Sequence, residues 1–137
     1  MSKYGLLETQ IADQKYLIAA LGEMGYRVEV HPQGAALVGY EGHERQEKAN
    51  IIIRRQQLDS ASNDIGFTRA SDGRYVARLS EYDQRIGFNQ KWLNRVHQLY
   101  KEKQTIATAK AKGYVFKGRE VVKTEEGERI QLRFAVR

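Results

Sequence analysis

Hydrophobic residues recur along this chain in two rhythms, one of about three and a half residues and one of two. Tyr16, Leu17, Ile18, Leu21 and Met24 keep helical spacing behind Asp13, a good N-cap, and Gly25 stands where such a helix stops, so residues 14–24 are predicted as an amphipathic helix. Trp92, Leu93, Val96, Leu99, Tyr100, Ile106 and Ala107 keep the same rhythm for much longer and predict one helix from Gln90 to Lys112, ended by Gly113. Elsewhere the rhythm is two. Residues 3–9 read as a first strand, Tyr26 to Val30 and Ala36 to Tyr40 as a hairpin turning at His31-Pro32-Gln33-Gly34, and Glu41 to Lys48 as a charged loop. The β-branched run Ile51-Ile52-Ile53 predicts a central strand buried on both faces. Gln56 to Asn63 reads as a loop, and Ile65 to Arg69 and Arg74 to Ser80 as a second hairpin closed by Ser71-Asp72-Gly73. A last hairpin, Tyr114 to Lys123 and Arg129 to Val136, sets Ile130, Leu132, Phe134 and Val136 on one face against Arg129, Gln131, Arg133 and Arg137 on the other.

These elements predict one α+β domain over residues 1–137, with a largely antiparallel sheet and two helices packed on one face. Met24-Gly25-Tyr26 and Lys112-Gly113-Tyr114 repeat the order helix, glycine, aromatic, strand. The repeat is read either as a remote βαβ duplication related to ferredoxin-like sandwiches or as two independent glycine stops.

Composition narrows the function classes. With 41% apolar residues the chain can bury a real core, and its lack of cysteine removes disulfides and thiolate metal sites. The absence of a long apolar run predicts a chain that stays out of the membrane, and a cytoplasmic location is expected. The net charge of +6 is uneven: residues 1–68 carry 7 Lys and Arg against 9 Asp and Glu, residues 69–137 carry 16 against 8. An anionic partner, nucleic acid or an acidic protein surface, fits the second half.

No phosphate-binding loop, dinucleotide fingerprint or serine elbow occurs, and His31, His43 and His97 fit no metal pattern, so no enzyme, cofactor or metal is expected. Asn63 and Asp64, with Asp83, offer paired carboxylates for acid–base work or a cation; the favoured reading has Asn63 and Asp64 capping a local turn, with Gly66 chosen for close approach. The polyanion candidates are Arg54, Arg55, Arg69, Arg74, Arg78, Arg129, Arg133 and Arg137, with Phe67 and Tyr75 as stacking groups, although Tyr75 falls on the apolar side of its strand. Lys103 and Lys110 fall on the apolar face of the long helix, where their stems either snorkel along the core or meet an acidic partner.

At Asp64-Ile65-Gly66-Phe67, Asp72-Gly73, Tyr75 and the aromatic helix from Trp92 to Tyr100, together with Ser2 and Thr9-Gln10-Ile11, the chain resembles a family of small cyanobacterial, chloroplast and bacterial proteins. That family is the hypothetical chloroplast reading frame ycf thirty-five, also called domain of unknown function family twelve-fifty-seven. The resemblance covers nearly the whole chain and makes Asn63, Asp64, Gly66, Phe67 and Asp83 a binding signature. It implies no activity or cofactor, an accessory role beside AAA-type ATPases, and the plastid stroma where the protein is organelle-encoded. The leading expectation is therefore a non-enzymatic adaptor that docks on a protein partner. Nucleic-acid binding through the arginine-bearing strands is the alternative, and an enzyme with a scattered carboxylate site the third reading.

Overall fold

A computed structural model describes residues 2–136 and divides into two compact units, residues 1–100 and 101–137. The first is built on a five-stranded antiparallel sheet. Its strands are β1 (Tyr4–Glu8), β2 (Glu29–Val38), β3 (Glu44–Ile53), β4 (Ile65–Arg69) and β5 (Tyr75–Ser80), in the order β1-β5-β4-β3-β2. Helix α1 (Gln14–Glu23) connects the two edge strands, a short helix α2 (Glu81–Arg85) follows β5, and α3 (Gln90–Ala111) is the long helix.

Local chemistry explains the helix ends. Asp13 Oδ1 accepts from the Lys15 amide at 3.0 Å, and the C-terminus of α1 closes with Tyr26 N–H donating to Leu21 O and Gly25 N–H to Gly22 O. Asn89 Oδ1 caps α3 by accepting from the amides of Lys91 and Trp92. Leu17, Ala20 and Leu21 of α1 and Leu93, Val96, Leu99 and Tyr100 of α3 pack with Ile51, Ile53, Ile65, Phe67, Tyr75, Ala77 and Leu79 of the sheet in one buried cluster. Both helices thus cover one face, as the apolar periodicity predicts. The Tyr100 hydroxyl locks them by accepting from the amides of Ala12 and Asp13.

The first predicted hairpin is wrong. Residues 29–38 form one strand through His31-Pro32-Gln33-Gly34, and its partner is β3, which begins inside the predicted charged loop. Proline is tolerated because β2 is an edge strand, with no outer neighbour to receive an N–H. The extra residues form an irregularity between Val30 and Ala35, where Gly34 takes φ +82°. Asn50 Nδ2 donates to the carbonyls of His31 and Pro32, and its Oδ1 accepts from the Arg69 amide, so one side chain ties three strands. The turn itself lies at Gly39–His43. The strand at 44–48 hides from a hydrophobicity reading because its inward side chains are Arg45 and Glu47; Arg45 stacks over the Tyr4 ring at 5.0 Å and donates to Ser2 O.

Beyond this irregularity Leu37 and Ala49 pack with Ile52 in a smaller cluster on the other side of the sheet. A Cβ added at Gly66 would lie 2.5 Å from Ala49 Cβ and 2.9 Å from Leu37 Cδ2, so only glycine admits this packing. The second unit holds the last turns of α3 and a two-stranded ribbon of β6 (Tyr114–Thr124) and β7 (Gly127–Val136). The two glycine-aromatic junctions therefore lead into different sheets, and β1 lies at a sheet edge, so they are not halves of a ferredoxin-like sandwich.

Candidate functional site

The signature residues come together, but as an internal brace. Asp64 lies just before β4 with no solvent exposure. Its Oδ1 accepts from the Arg55 amide at 2.7 Å, and its Oδ2 accepts from the Val38 amide at 2.7 Å and from Arg54 Nη1 at 2.8 Å. Asp64 N–H returns a bond to Val38 O, and the Tyr4 hydroxyl donates to Asp64 O at 2.6 Å. Asp64 thus serves amides from remote segments, where the sequence suggested a local turn cap. Arg54 also forks onto Glu29, Nε to Oε2 at 2.9 Å and Nη2 to Oε1 at 2.8 Å. These bonds from Arg54, with one from His31, hold the Glu29 carboxyl down at about 2. Burial first, and the Asp64 charge second, raise the Tyr4 phenol above its ordinary value.

Asp83 lies in α2 and is equally buried. Its Oδ2 accepts from the Asn63 amide and the Ser80 hydroxyl, while Ser80 Oγ accepts from the Asp83 amide at the helix start and from Asn63 Nδ2. Asp83 Oδ1 has no hydrogen-bond partner among the described residues. The two carboxylates are thus linked through the single residue Asn63, each turned into backbone and hydroxyl donors. Ser80-x-x-Asp83 is a capping-box spacing that announces α2 in the sequence, which the prediction left unassigned. Gly66 and Phe67 continue the brace into β4, Phe67 fully buried among the core residues.

The sheet arginines divide by role. Arg54 is committed to Glu29 and Asp64; Arg55 donates to the carbonyls of Ser60 and Ser62; Arg69 donates to Ala12 O, Gly73 O and the Tyr75 hydroxyl and stacks on that ring at 4.6 Å; Arg78 Nε donates to Thr68 Oγ1. Arg74, Arg129 and Arg133 are exposed, and Arg137 lies outside the described residues. Tyr75, at 1% exposure, belongs to the core and offers no stacking platform. Lys103 is half-buried and Lys110 exposed, both on the last turns of α3.

The second unit differs from the first in how little it buries. Among its described residues none of the hydrophobic side chains is fully buried, and the one buried residue is Glu102, whose Oε2 lies 3.4 Å from Arg119 Nε in an ion pair too poorly aligned for a hydrogen bond. Lys117 is an extra residue in β6, so that Phe116 faces Phe134 and Gly118 already faces Arg133. This shift puts Tyr114, Phe116 and Val121 on the same side as Ile130, Leu132, Phe134 and Val136. The Phe116 and Phe134 rings lie 5.8 Å apart. Exposure remains 41% at Tyr114, 39% at Phe116, 52% at Val121 and 78% at Val136, while Ile130, Leu132 and Phe134 are half-buried, so this face, which also carries Arg119 opposite Leu132, is only partly covered. A cleft of about 420 Å³ separates Thr105, Thr108, Ala109 and Lys112 of α3 from Tyr114 and Phe134.

A family described as Protein of unknown function (DUF1257) matches residues 20–132. The chain belongs to this family. No curated protein matches the chain, and no solved structure does. The span shared with the DUF1257 family takes in the Asp64 and Asp83 brace and all but the last strokes of the ribbon, and it leaves out β1. Among the described residues no helix is long and apolar enough to cross a membrane, and no group of three His, Asp or Glu side chains could hold a metal ion. The sequence shows the apolar side of β7, Phe134 included, but not that Tyr114, Phe116 and Val121 of β6 join it, because an alternation count through 114–122 cannot see the residue that Lys117 adds. The partners of Asp64, namely Tyr4, Val38, Arg54 and the Arg55 amide, are not legible from the sequence except through the adjacent Arg54-Arg55 pair that ends the isoleucine run.

Proposed function

We propose that the protein is a non-enzymatic adaptor that docks on a protein partner through the apolar face of its C-terminal ribbon. One observation carries the reading: a ribbon of ten- and eleven-residue strands aligns seven apolar side chains on one face and fully buries none. Two strands alone are marginal in water, and a third strand or a covering surface is what such a face lacks. The Asp64 and Asp83 brace supports the same reading, since both carboxylates are spent on holding strands and loops together.

Kinship with the chloroplast reading frame ycf thirty-five and service to an AAA-type ATPase are the finer form of this proposal and rest on the signature residues alone. The nucleic-acid alternative would draw on Arg74, Arg129 and Arg133, the exposed members of the arginine set. Affinity purification of the tagged chain from its own cells, at low and high salt and with and without nuclease, separates the two. Docking predicts a stoichiometric protein that survives nuclease and salt. Recovery only of nucleic acid, lost as salt rises, would overturn it.

A further inference from the structure

We infer that the partner segment received by the ribbon is an acidic peptide carrying a bulky apolar side chain, seated in the cleft between the end of α3 and the ribbon. This deepens the docking proposal and rests on it. The cleft, about 420 Å³, has room for a side chain, and it is walled by the Tyr114 and Phe134 rings on one side and by Thr105, Thr108, Ala109 and Lys112 on the other.

Its electrostatic setting selects the occupant. Residues 101–137 hold ten Lys and Arg against five Glu, a net +5 of the chain's +6. Three of the five, Glu125, Glu126 and Glu128, lie at or beside the ribbon's turn. At ~3.3 Å per residue that turn is roughly 30 Å of strand from Tyr114. Of the two others, Glu102 is paired with Arg119. Lys112 lines the cleft and Lys101 shares its face of α3, both exposed, while Glu120 and Arg133 stand on the face of the ribbon opposite Tyr114 and Phe134. A second copy of the chain would bring the same positive unit against this one. Nucleic acid would meet the charge but not the ridge of Val121, Ile130, Leu132 and Val136, since its interfaces are far more polar. An acidic peptide with an aromatic or large aliphatic anchor satisfies both the rim and the cleft.

The test pans a displayed library of short random peptides on the immobilised full-length chain and titrates the best binder by fluorescence anisotropy. Selected peptides should be acidic and share a large apolar residue. Ala109→Phe, which fills the cleft, and the double variant Lys101→Glu/Lys112→Glu should each weaken the best peptide by about tenfold or more, while Lys112→Arg keeps it. Circular dichroism verifies that each variant keeps its helix content. Neutral or basic winners, or an acidic winner indifferent to Ala109→Phe, overturn the inference; if Phe116→Ser still abolishes their binding, docking on the ribbon stands. A library without binders contradicts the docking reading itself. Displacement of the best peptide by a single-stranded oligonucleotide would assign the cleft to nucleic acid.

Discussion

Asp64→Asn is expected to destabilise the protein by about 3–5 kcal/mol. Both carboxylate oxygens of Asp64 are acceptors: Oδ1 takes the Arg55 amide, and Oδ2 takes the Val38 amide and the Arg54 guanidinium, all within 2.8 Å. Asparagine turns one oxygen into an NH₂ group, so in either orientation at least one backbone N–H faces a donor at hydrogen-bond distance, and the guanidinium loses a fully buried counter-charge. A lost charge-assisted bond costs about 1.5–3 kcal/mol and a stranded buried donor about 1–3 kcal/mol, in line with breaking one partner of a buried pair. For a domain with ~5–15 kcal/mol of total stability this is a large loss, readable as a fall of roughly 1–3 M in the urea midpoint. Asp83→Asn is the control. Its Oδ1 accepts no bond from the described residues, so an NH₂ there opposes no donor while the remaining oxygen serves Asn63 and Ser80, and the cost should be that of one stranded buried donor, about 1–2 kcal/mol and clearly below that of Asp64→Asn. Equal effects of the two variants, or Asp64→Asn within about 1 kcal/mol of the parent, would refute the brace.

Other expectations follow from the same geometry. Gly66→Ala should cost about 1–3 kcal/mol by overpacking against Leu37 and Ala49, and Leu37→Ala in the same chain should recover part of it in a double-variant denaturation cycle. The depressed Glu29 carboxyl contributes stability that is present above its ordinary value of 4.5 and lost as pH falls toward about 2; Glu29→Gln should flatten acid unfolding across that window. Because Glu29 is half exposed, the difference should be about 1 kcal/mol at most. Phe116→Ser with Val121→Ser should change stability little and lower partner capture by about tenfold or more, since both side chains are already 39% and 52% exposed; a matching loss of stability would count against the docking face.

Much of this fold is written in local periodicity. Both main helices, the isoleucine strand, the Ser71–Gly73 turn and the C-terminal ribbon follow from spacing and from glycine or Asx signals that need no tertiary knowledge. The failure at 26–48 has a tertiary cause: Pro32 signals a turn unless the strand is known to be an edge, and Arg45 and Glu47 read as loop unless Tyr4 is known to wait beneath them. Among the candidate residues, the sequence singled out Asp64 and Asp83 but not their uses, because Val38 and Asn63 as partners depend on strand pairing across the sheet. The arginine list mixed two populations for the same reason. Arg54 and Arg69 differ from Arg129 and Arg133 only in what the fold sets beside them.

The most direct test of the docking claim is amide hydrogen exchange on the full-length chain, alone and with the partner recovered by affinity purification. The account predicts new protection concentrated in residues 114–136, with exchange across residues 62–83 unchanged. Protection centred on the Asp64 and Asp83 brace, with the ribbon exchanging as before, would contradict it.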